Sequence, residues 1–402
     1  MNLTNSSSRQ KSLLMSVTRQ AAVAALARGD WQGAVELGLE SYLAVFHAGH
    51  GAQQGDENVD LLPDCLLLAK AYTHLLDASR GSGGDDGGGM TSGTAFSPRM
   101  QAMVRQEGGP GAALAAARQR YLRHARSLAQ RQPYESALAN AQVYCVLGEL
   151  YVLGGEYEEA EKMYQLYTTL TEKHFGMDHL ATSDCYSLLA AYYTRTGNYP
   201  VALVYAGKCL LIRIDRLGLM HLRTADAHYN AGILYRLNGD ADEAIKELQY
   251  ALAAREKLSG ADSLPVADTC FSLGVAEQQR QRYAAALQYY ERALKLRFQL
   301  QGAEHSDTID IIFHLSALYS ETGVLDKAEA EAQTVVLLRQ RRHGLRHAAT
   351  GDALLNLGYI SKKLGKFSEA EACFRGAGEA FEAALGPEHA KNKEVSEALK
   401  LL

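Results

Sequence analysis

From about residue 135 onward, apolar positions recur at three- and four-residue intervals, in blocks that stop at a glycine and then resume. Around Gly197, Leu189, Ala190 and Tyr193 lie upstream, and Ala202 and Ala206 lie downstream. Leu147, Gly148, Tyr151 and Ala160 hold the same places one block earlier; Ala231, Gly232, Tyr235 and Ala244 hold them one block later. This spacing on both sides of a glycine predicts two amphipathic helices joined by a tight turn. The glycine ends the first helix because it takes a left-handed backbone at little cost. The turns are legible at Gly155-Glu156-Tyr157, Gly197-Asn198-Tyr199, Gly239-Asp240, Gln281-Arg282-Tyr283, Gly323 and Gly365-Lys366-Phe367. The differences 197−155, 239−197, 281−239, 323−281 and 365−323 all equal 42. A fixed period in this range marks a solenoid of stacked units. Small residues at Gly148, Ala190, Gly232, Gly274, Ser316 and Gly358 are expected to face Ala160, Ala202, Ala244, Ala286, Ala328 and Ala370. Tyr151, Tyr193, Tyr235 and Tyr319 are expected to fill the space beside them.

Six regular units are read at about 135–175, 178–217, 220–259, 262–301, 304–343 and 346–385, together spanning 135–385. Gly29 lies 155−29 = 126 residues, or three periods, before Gly155, so the phase extends toward the N-terminus. Residues 10–131 are read as two divergent units. The first pairs a helix near Lys11 to Ala27 with one near Trp31 to Phe46. The second pairs Leu61 to Leu76 with Ala112 to Gln130, interrupted by a Gly-rich insertion at 80–111. That composition cannot bury a core and predicts a mobile segment, read as a neutral expansion ahead of a regulatory loop. Residues 1–9, rich in Ser and Asn, are expected to form a disordered tail. Gly386-Pro387 opens a last helix at 386–402, with Pro387 in the first helical position and Val395, Leu399 and Leu402 on its apolar side. One apolar and one wet face suit a terminal cap.

These residue types at this spacing resemble the tetratricopeptide repeat. The resemblance implies an all-α fold, a right-handed superhelical solenoid of helix-turn-helix repeats with a C-terminal capping helix. The usual repeat is about 34 residues long, and the extension here carries its own signature. It reads Gly176-x-x-His179, Gly218-x-x-His221, Gly302-x-x-His305, Gly344-x-x-His347 and Gly386-x-x-His389, with the histidine lost after Gly260. A unit of this length with G-x-x-H between repeats resembles that of kinesin light chains, over roughly the last two thirds of the chain. In the N-terminal half, G-A-V-E-L-G-L-E-S-Y-L at Gly33 to Leu43 and L-L-P-D-C-L-L-L-A-K-A-Y from Leu61 are similar to a ciliary family. So are Y-L-R-H-A-R-S-L-A-Q from Tyr121 and L-G-E-L-Y-V-L-G-G-E-Y-E-E-A from Leu147. That family is the axonemal tetratricopeptide proteins that carry a MYND zinc finger and are associated with inner dynein arms. The likeness covers about residues 20 to 200, and the zinc finger itself is absent. It implies a setting in the axoneme of a cilium or flagellum. The implied partners are dynein arm subunits or other microtubule-associated proteins.

Of the 402 residues, 47% are hydrophobic and the net charge is −5, so nothing argues for a nucleic-acid groove. There is no run of about eighteen apolar residues, so no membrane span is expected, and the reading is cytoplasmic. Cys65, Cys145, Cys185, Cys209, Cys270 and Cys373 are never paired as C-x-x-C and read as small buried hydrophobes in a reducing compartment. No metal, cofactor or catalytic set emerges, and the chain is read as no enzyme. The recurrent histidines cannot converge on a metal and are read as capping or packing the connectors.

Asp184, Asp226, Asp268, Asp310 and Asp352 also recur at 42, most of them two residues after a Thr (Thr182, Thr224, Thr308, Thr350). In one reading each acid sits in the first turn of a first helix and satisfies its free N–H groups. In the other the acids form a ladder at the rim of a concave groove lined by first helices. Groove positions by repeat analogy include Tyr229, Asn230, Ile233, Arg236, Phe271, Gln278, Phe313, Ser320, Asn356, Tyr359 and Lys362, a mixture suited to a peptide. Asn230 and Asn356 fall where kinesin light chains use asparagines to hold peptide backbone. The function so implied is a non-catalytic protein-interaction scaffold linked to inner dynein arms. The alternative is a soluble kinesin-light-chain-like cargo or signalling adaptor, against which, as a motor subunit, the lack of a sustained heptad weighs.

Overall fold

The computed structural model describes residues 19–28, 33–35, 37–39, 65, 67–72, 110–131 and 137–402. The expected tail at 1–9 lies outside them. So does the insertion expected at 80–111, apart from its last two residues, which already belong to a helix. Contacts divide the chain into two compact units, Met1–Leu188 and Leu189–Leu402.

The labelled helices are α1 Pro110–Arg131, α2 Ala137–Leu153, α3 Tyr157–Phe175, α4 Leu180–Arg195, α5 Tyr199–Leu217, α6 Leu222–Asn238 and α7 Ala241–Ser259. They continue as α8 Leu264–Gln279, α9 Tyr283–Gln301, α10 Ser306–Glu321, α11 Leu325–His343, α12 Ala348–Lys363, α13 Phe367–Leu385 and α14 Ala390–Lys400. The fold is an all-α solenoid of helix-turn-helix repeats. From α3 on, each second helix has 19 residues, so the long period is built into the helices as well as their connectors.

In the N-terminal unit, α1 is tied to the α2–α3 turn by the buried Arg118. Its Nη2 donates to the Leu150 carbonyl at 2.7 Å, and its Nη1 pairs with Glu156 at 2.6 Å. In the C-terminal unit, α7, α9, α11 and α13 each pack against their own first helix and the next one. Val266 and Cys270 of α8, Tyr290 and Leu296 of α9, and Ile311 and Leu315 of α10 thus form one cluster. Successive first helices α6, α8, α10 and α12 approach one another and so line the inner face of this unit.

The intra-repeat turns share one geometry. In α4, Gly197 N–H donates to the Thr194 carbonyl at 3.1 Å and Asn198 N–H to the Tyr193 carbonyl at 2.8 Å. This is the Schellman arrangement, which consumes carbonyls left over at a helix end. It requires positive φ, 77° at Gly197 and 79° at Gly323. Gln281 occupies the same place with φ 58°, the one non-glycine residue at positive φ among the described residues.

The small residues do not simply face the repeated alanines. Each accommodates the side chain four positions beyond the alanine. A Cβ on Gly148 would lie 2.4 Å from the Tyr164 ring, one on Gly274 2.6 Å from Tyr290, and one on Gly358 2.5 Å from Phe374. Where the first helix instead carries Ala190 or Ser316, the second carries Ala206 or Ala332. A large side chain on the second helix is therefore met by a glycine on the first, and a small one by alanine or serine, which keeps a close-packed interior free of overlap. The terminal helix also departs from expectation. Pro387 lies in the connector, because His389 caps α14 and its first residue is Ala390.

Two stability changes follow. Gly274→Ala should cost about 1–2 kcal/mol, because overpacking against the fully buried Tyr290 outweighs the helix preference of alanine. In a Tyr290→Ala background the same change should cost nothing further, as urea unfolding would show. Gln281→Gly should raise stability by up to about 1 kcal/mol, since the left-handed strain of a side-chain residue exceeds the entropy cost of glycine; a thermal melt would show the gain.

Candidate functional site

The connectors between repeats fix where each first helix begins. Their glycines have positive φ, 82° at Gly218 and 84° at Gly344. The histidine three residues on is the N-cap. His221, His305, His347 and His389 accept through Nδ1 from the N–H two residues ahead, at 3.1, 3.3, 3.2 and 3.3 Å. Thr308 and Thr350 are fully buried and return their hydroxyls to the connector carbonyls of Gly302 and Gly344 at 2.9 and 2.8 Å. Histidine and threonine thus serve the connector.

This corrects one reading of the recurrent aspartates. Asp226 lies four residues beyond Leu222, the first residue of α6, and the free N–H groups are already served by His221. Asp226, Asp268 and Asp310 are instead ion-paired within their own repeat, each to an arginine near the end of the second helix. Arg255 of α7 holds Asp226 at 2.6 Å, Arg297 of α9 holds Asp268, and Arg339 of α11 holds Asp310 at 2.8 Å. These arginines are nearly buried while their partners stay largely open: the Arg339 side chain is 10% exposed and that of Asp310 53%. Two of the guanidiniums also lie against the repeat aromatic, Arg255 4.2 Å from the Tyr229 ring centre and Arg339 4.6 Å from that of Phe313. Arg213, Arg255, Arg297 and Arg339 are 42 apart, a periodicity as legible as that of the acids; the sequence reading had missed it.

On the inner face the structure gathers Asp226, Tyr229, Asp268, Phe271, Asp310 and Phe313. A cavity of about 290 Å³ is lined by Tyr229, Asp268, Phe271, Arg297, Asp307, Asp310 and Ile311. Asn230 is exposed next to Tyr229. Arg236 lies deeper, where its buried Nε has no hydrogen-bond partner. It acts on Tyr290 and His314, and Gln278 accepts the Tyr290 hydroxyl at 2.8 Å. His314 stands edge-on to Phe271, and burial holds its imidazole below the ordinary 6.5, so it is neutral there.

The last repeat differs. Asp352 pairs with Lys391 of α14 at 2.5 Å, Lys362 donates to the Leu401 carbonyl at 2.8 Å, and Tyr359 interacts with Glu394. The terminal helix thus engages the groove positions of α12. Asn356 donates to the Ser316 hydroxyl at 2.8 Å and ties α12 to α10. Of the predicted groove residues, Asp352, Asn356 and Tyr359 thus also contact neighbouring helices, while Tyr359 stays exposed. Asp184 lies at the same register in α4, exposed, within the N-terminal unit.

Burial pushes the Cys145 thiol up to about 12 and that of Cys270 to about 11, so neither is a thiolate nucleophile at neutral pH. Among the described residues no group of three His, Cys, Asp or Glu could hold a metal ion. No described helix is long and apolar enough to cross a membrane. The geometry defines a helical repeat protein with an aromatic and acidic inner face.

Tetratricopeptide-repeat family models match residues 141–174, 182–222, 223–299 and 350–391. The repeats are tetratricopeptide repeats. The crystal structure of the apo form of RapI superposes with a TM-score of 0.51 at 15% identity, over 76% of this chain and 97% of that one, a likeness of fold. A Rap protein complexed with competence and sporulation factor gives 0.48 at 14% identity, over 96% and 99%. Kinesin-light-chain TPR-like repeats from Podosopora anserina give 0.46 at 17% identity, over 51% and 97%. No curated protein matches the chain.

The two members of each Asp–Arg pair should be unequal in effect. Arg339→Ala removes a buried stem, its stacking on Phe313 and a donor to the Ala349 carbonyl, and should cost about 2–3 kcal/mol. Asp310→Asn removes only a half-exposed charge and should cost under about 1 kcal/mol. Equal losses in denaturant titrations would contradict this division.

Proposed function

We propose that the chain is a non-catalytic protein-interaction scaffold that holds a partner segment along the inner face of α6, α8 and α10. The observation that carries this reading is the row of partly exposed rings, Tyr229, Phe271 and Phe313, beside the cavity. Rings backed by buried guanidiniums form a rigid surface that loses little entropy when a peptide docks.

The setting we infer is the ciliary or flagellar axoneme, with inner-dynein-arm subunits or other microtubule-associated proteins as partners. It rests on the resemblance of residues 20 to 200, and the comparisons with known proteins do not carry it. The 42-residue unit with its G-x-x-H connector favours a second reading, a kinesin-light-chain-like cargo or signalling adaptor.

A tagged chain incubated with salt-extracted axonemes and read by mass spectrometry separates the two. Recovery of dynein arm subunits supports the axonemal scaffold, and recovery of kinesin heavy chain or vesicle cargo supports the adaptor. In either case the combined Tyr229→Ala, Phe271→Ala and Phe313→Ala variant, helical by circular dichroism, should capture less than about a tenth as much. Undiminished capture would remove the inner face from the reading.

A further inference from the structure

Asp307 breaks the repeat at the cavity. At its register the other units of the C-terminal array hold Arg223, Pro265 and Ala349. There the buried arginine of the preceding helix donates to a backbone carbonyl: Arg213 to Arg223 at 3.0 Å, Arg255 to Pro265 at 3.1 Å, and Arg339 to Ala349 at 2.9 Å. Arg297 instead sends Nη1 to the Asp307 carboxylate at 2.5 Å and Nη2 to Asp268. One guanidinium serves two carboxylates here, whereas Arg255 serves Asp226 and Arg339 serves Asp310. Among the groups that line the cavity, three carboxylates, Asp268, Asp307 and Asp310, therefore stand with one guanidinium, Arg297, beside the rings of Tyr229 and Phe271.

His305 Nδ1 lies 3.8 Å from the Asp307 carboxylate, but it accepts the Asp307 N–H as the helix cap and so donates nothing to the acid. Arg236 stands further in, acting on Tyr290 and His314. His314, beside Phe271, is kept neutral by burial, and the Arg339 guanidinium is committed to Asp310 and the Ala349 carbonyl. Nor is the acid set arranged as a metal site among the described residues. Carboxylates beside aromatic faces recognise an organic cation, the rings taking its alkyl stem and the acids its charge. The side chains of Asp307 and Asp310 are 45% and 53% exposed, so the charge is reachable from the inner face.

We propose that this cavity is the specificity pocket of the inner face and receives a lysine or arginine side chain of the partner segment. The proposal rests on the reading of that face as a peptide groove and adds the chemistry of the peptide. The full chain would be panned against a phage-displayed library of random linear peptides, with the Tyr229→Ala and Phe271→Ala double variant identifying groove-dependent binders. Those binders should share a basic residue at one fixed position. A resynthesised binder, followed by fluorescence anisotropy, should lose about tenfold in affinity on Asp307→Ala. It should lose as much when its basic residue becomes norleucine, the two losses should not add, and Asp307→Glu should restore binding. Pro265 and Ala349 show that the fold accepts a residue without a carboxylate at this register. Groove-dependent binders without a basic position, or indifferent to Asp307→Ala, would overturn the pocket and leave the groove standing. If no binder depended on the groove, both would fall.

Discussion

The array depends on how closely the two helices of a repeat can approach. Gly148, Gly274 and Gly358 leave a gap that Tyr164, Tyr290 and Phe374 fill, and no Cβ fits at those glycines without a clash. A second helix set this close can also reach the next first helix, so a single helix serves two interfaces. Tyr290 shows it, fully buried in a cluster that spans α8, α9 and α10. A solenoid has no central core to absorb an error in one repeat, because each unit is held by its neighbours alone. Where Ala190 and Ser316 stand in place of the glycine, Ala206 and Ala332 stand in place of the large side chain, so no pair is crowded from both sides.

The buried arginines make a second, electrostatic layer of the same periodicity. Placing a guanidinium at an interface between repeats is costly unless its charge and its donors are satisfied. Here Arg255, Arg297 and Arg339 each meet an aspartate on the inner face, and Arg255 and Arg339 also meet a connector-side carbonyl and an aromatic ring. The aspartate row is therefore both part of the scaffold and part of the surface. A groove whose exposed acids are anchored from below keeps its shape without a ligand. Its affinity for charged partners is then decided where the pairing is uneven, at Arg297, Asp268 and Asp307.

At the two ends the pattern changes for physical reasons. In the last repeat the register of the arginines is taken by Phe381, and Lys391 from the terminal helix reaches over that ring to Asp352. The terminal helix thus closes the groove positions of α12 while covering the last apolar face. At the N-terminal side, Arg118 takes the place of a repeat contact by bonding the α2–α3 turn directly.

By itself the sequence determined the repeat: its 42-residue period, the turns at Gly197 and Gly365, the connectors with their histidines, and the helices on either side. These follow from local chemistry, in which backbone freedom, capping groups and apolar spacing act within a few residues and leave a readable trace. The tertiary structure alone decided what the periodic charges do. Asp226 and Arg255 are 29 residues apart, on the two helices of one repeat, so the same acid could cap its own helix or pair with the partner helix until their packing was known. It also decided that Asn356 and Tyr359, groove residues by spacing, contact α10 and α14. Spacing along the chain identifies equivalent positions; which of them remain open depends on what the neighbouring helices bring against them.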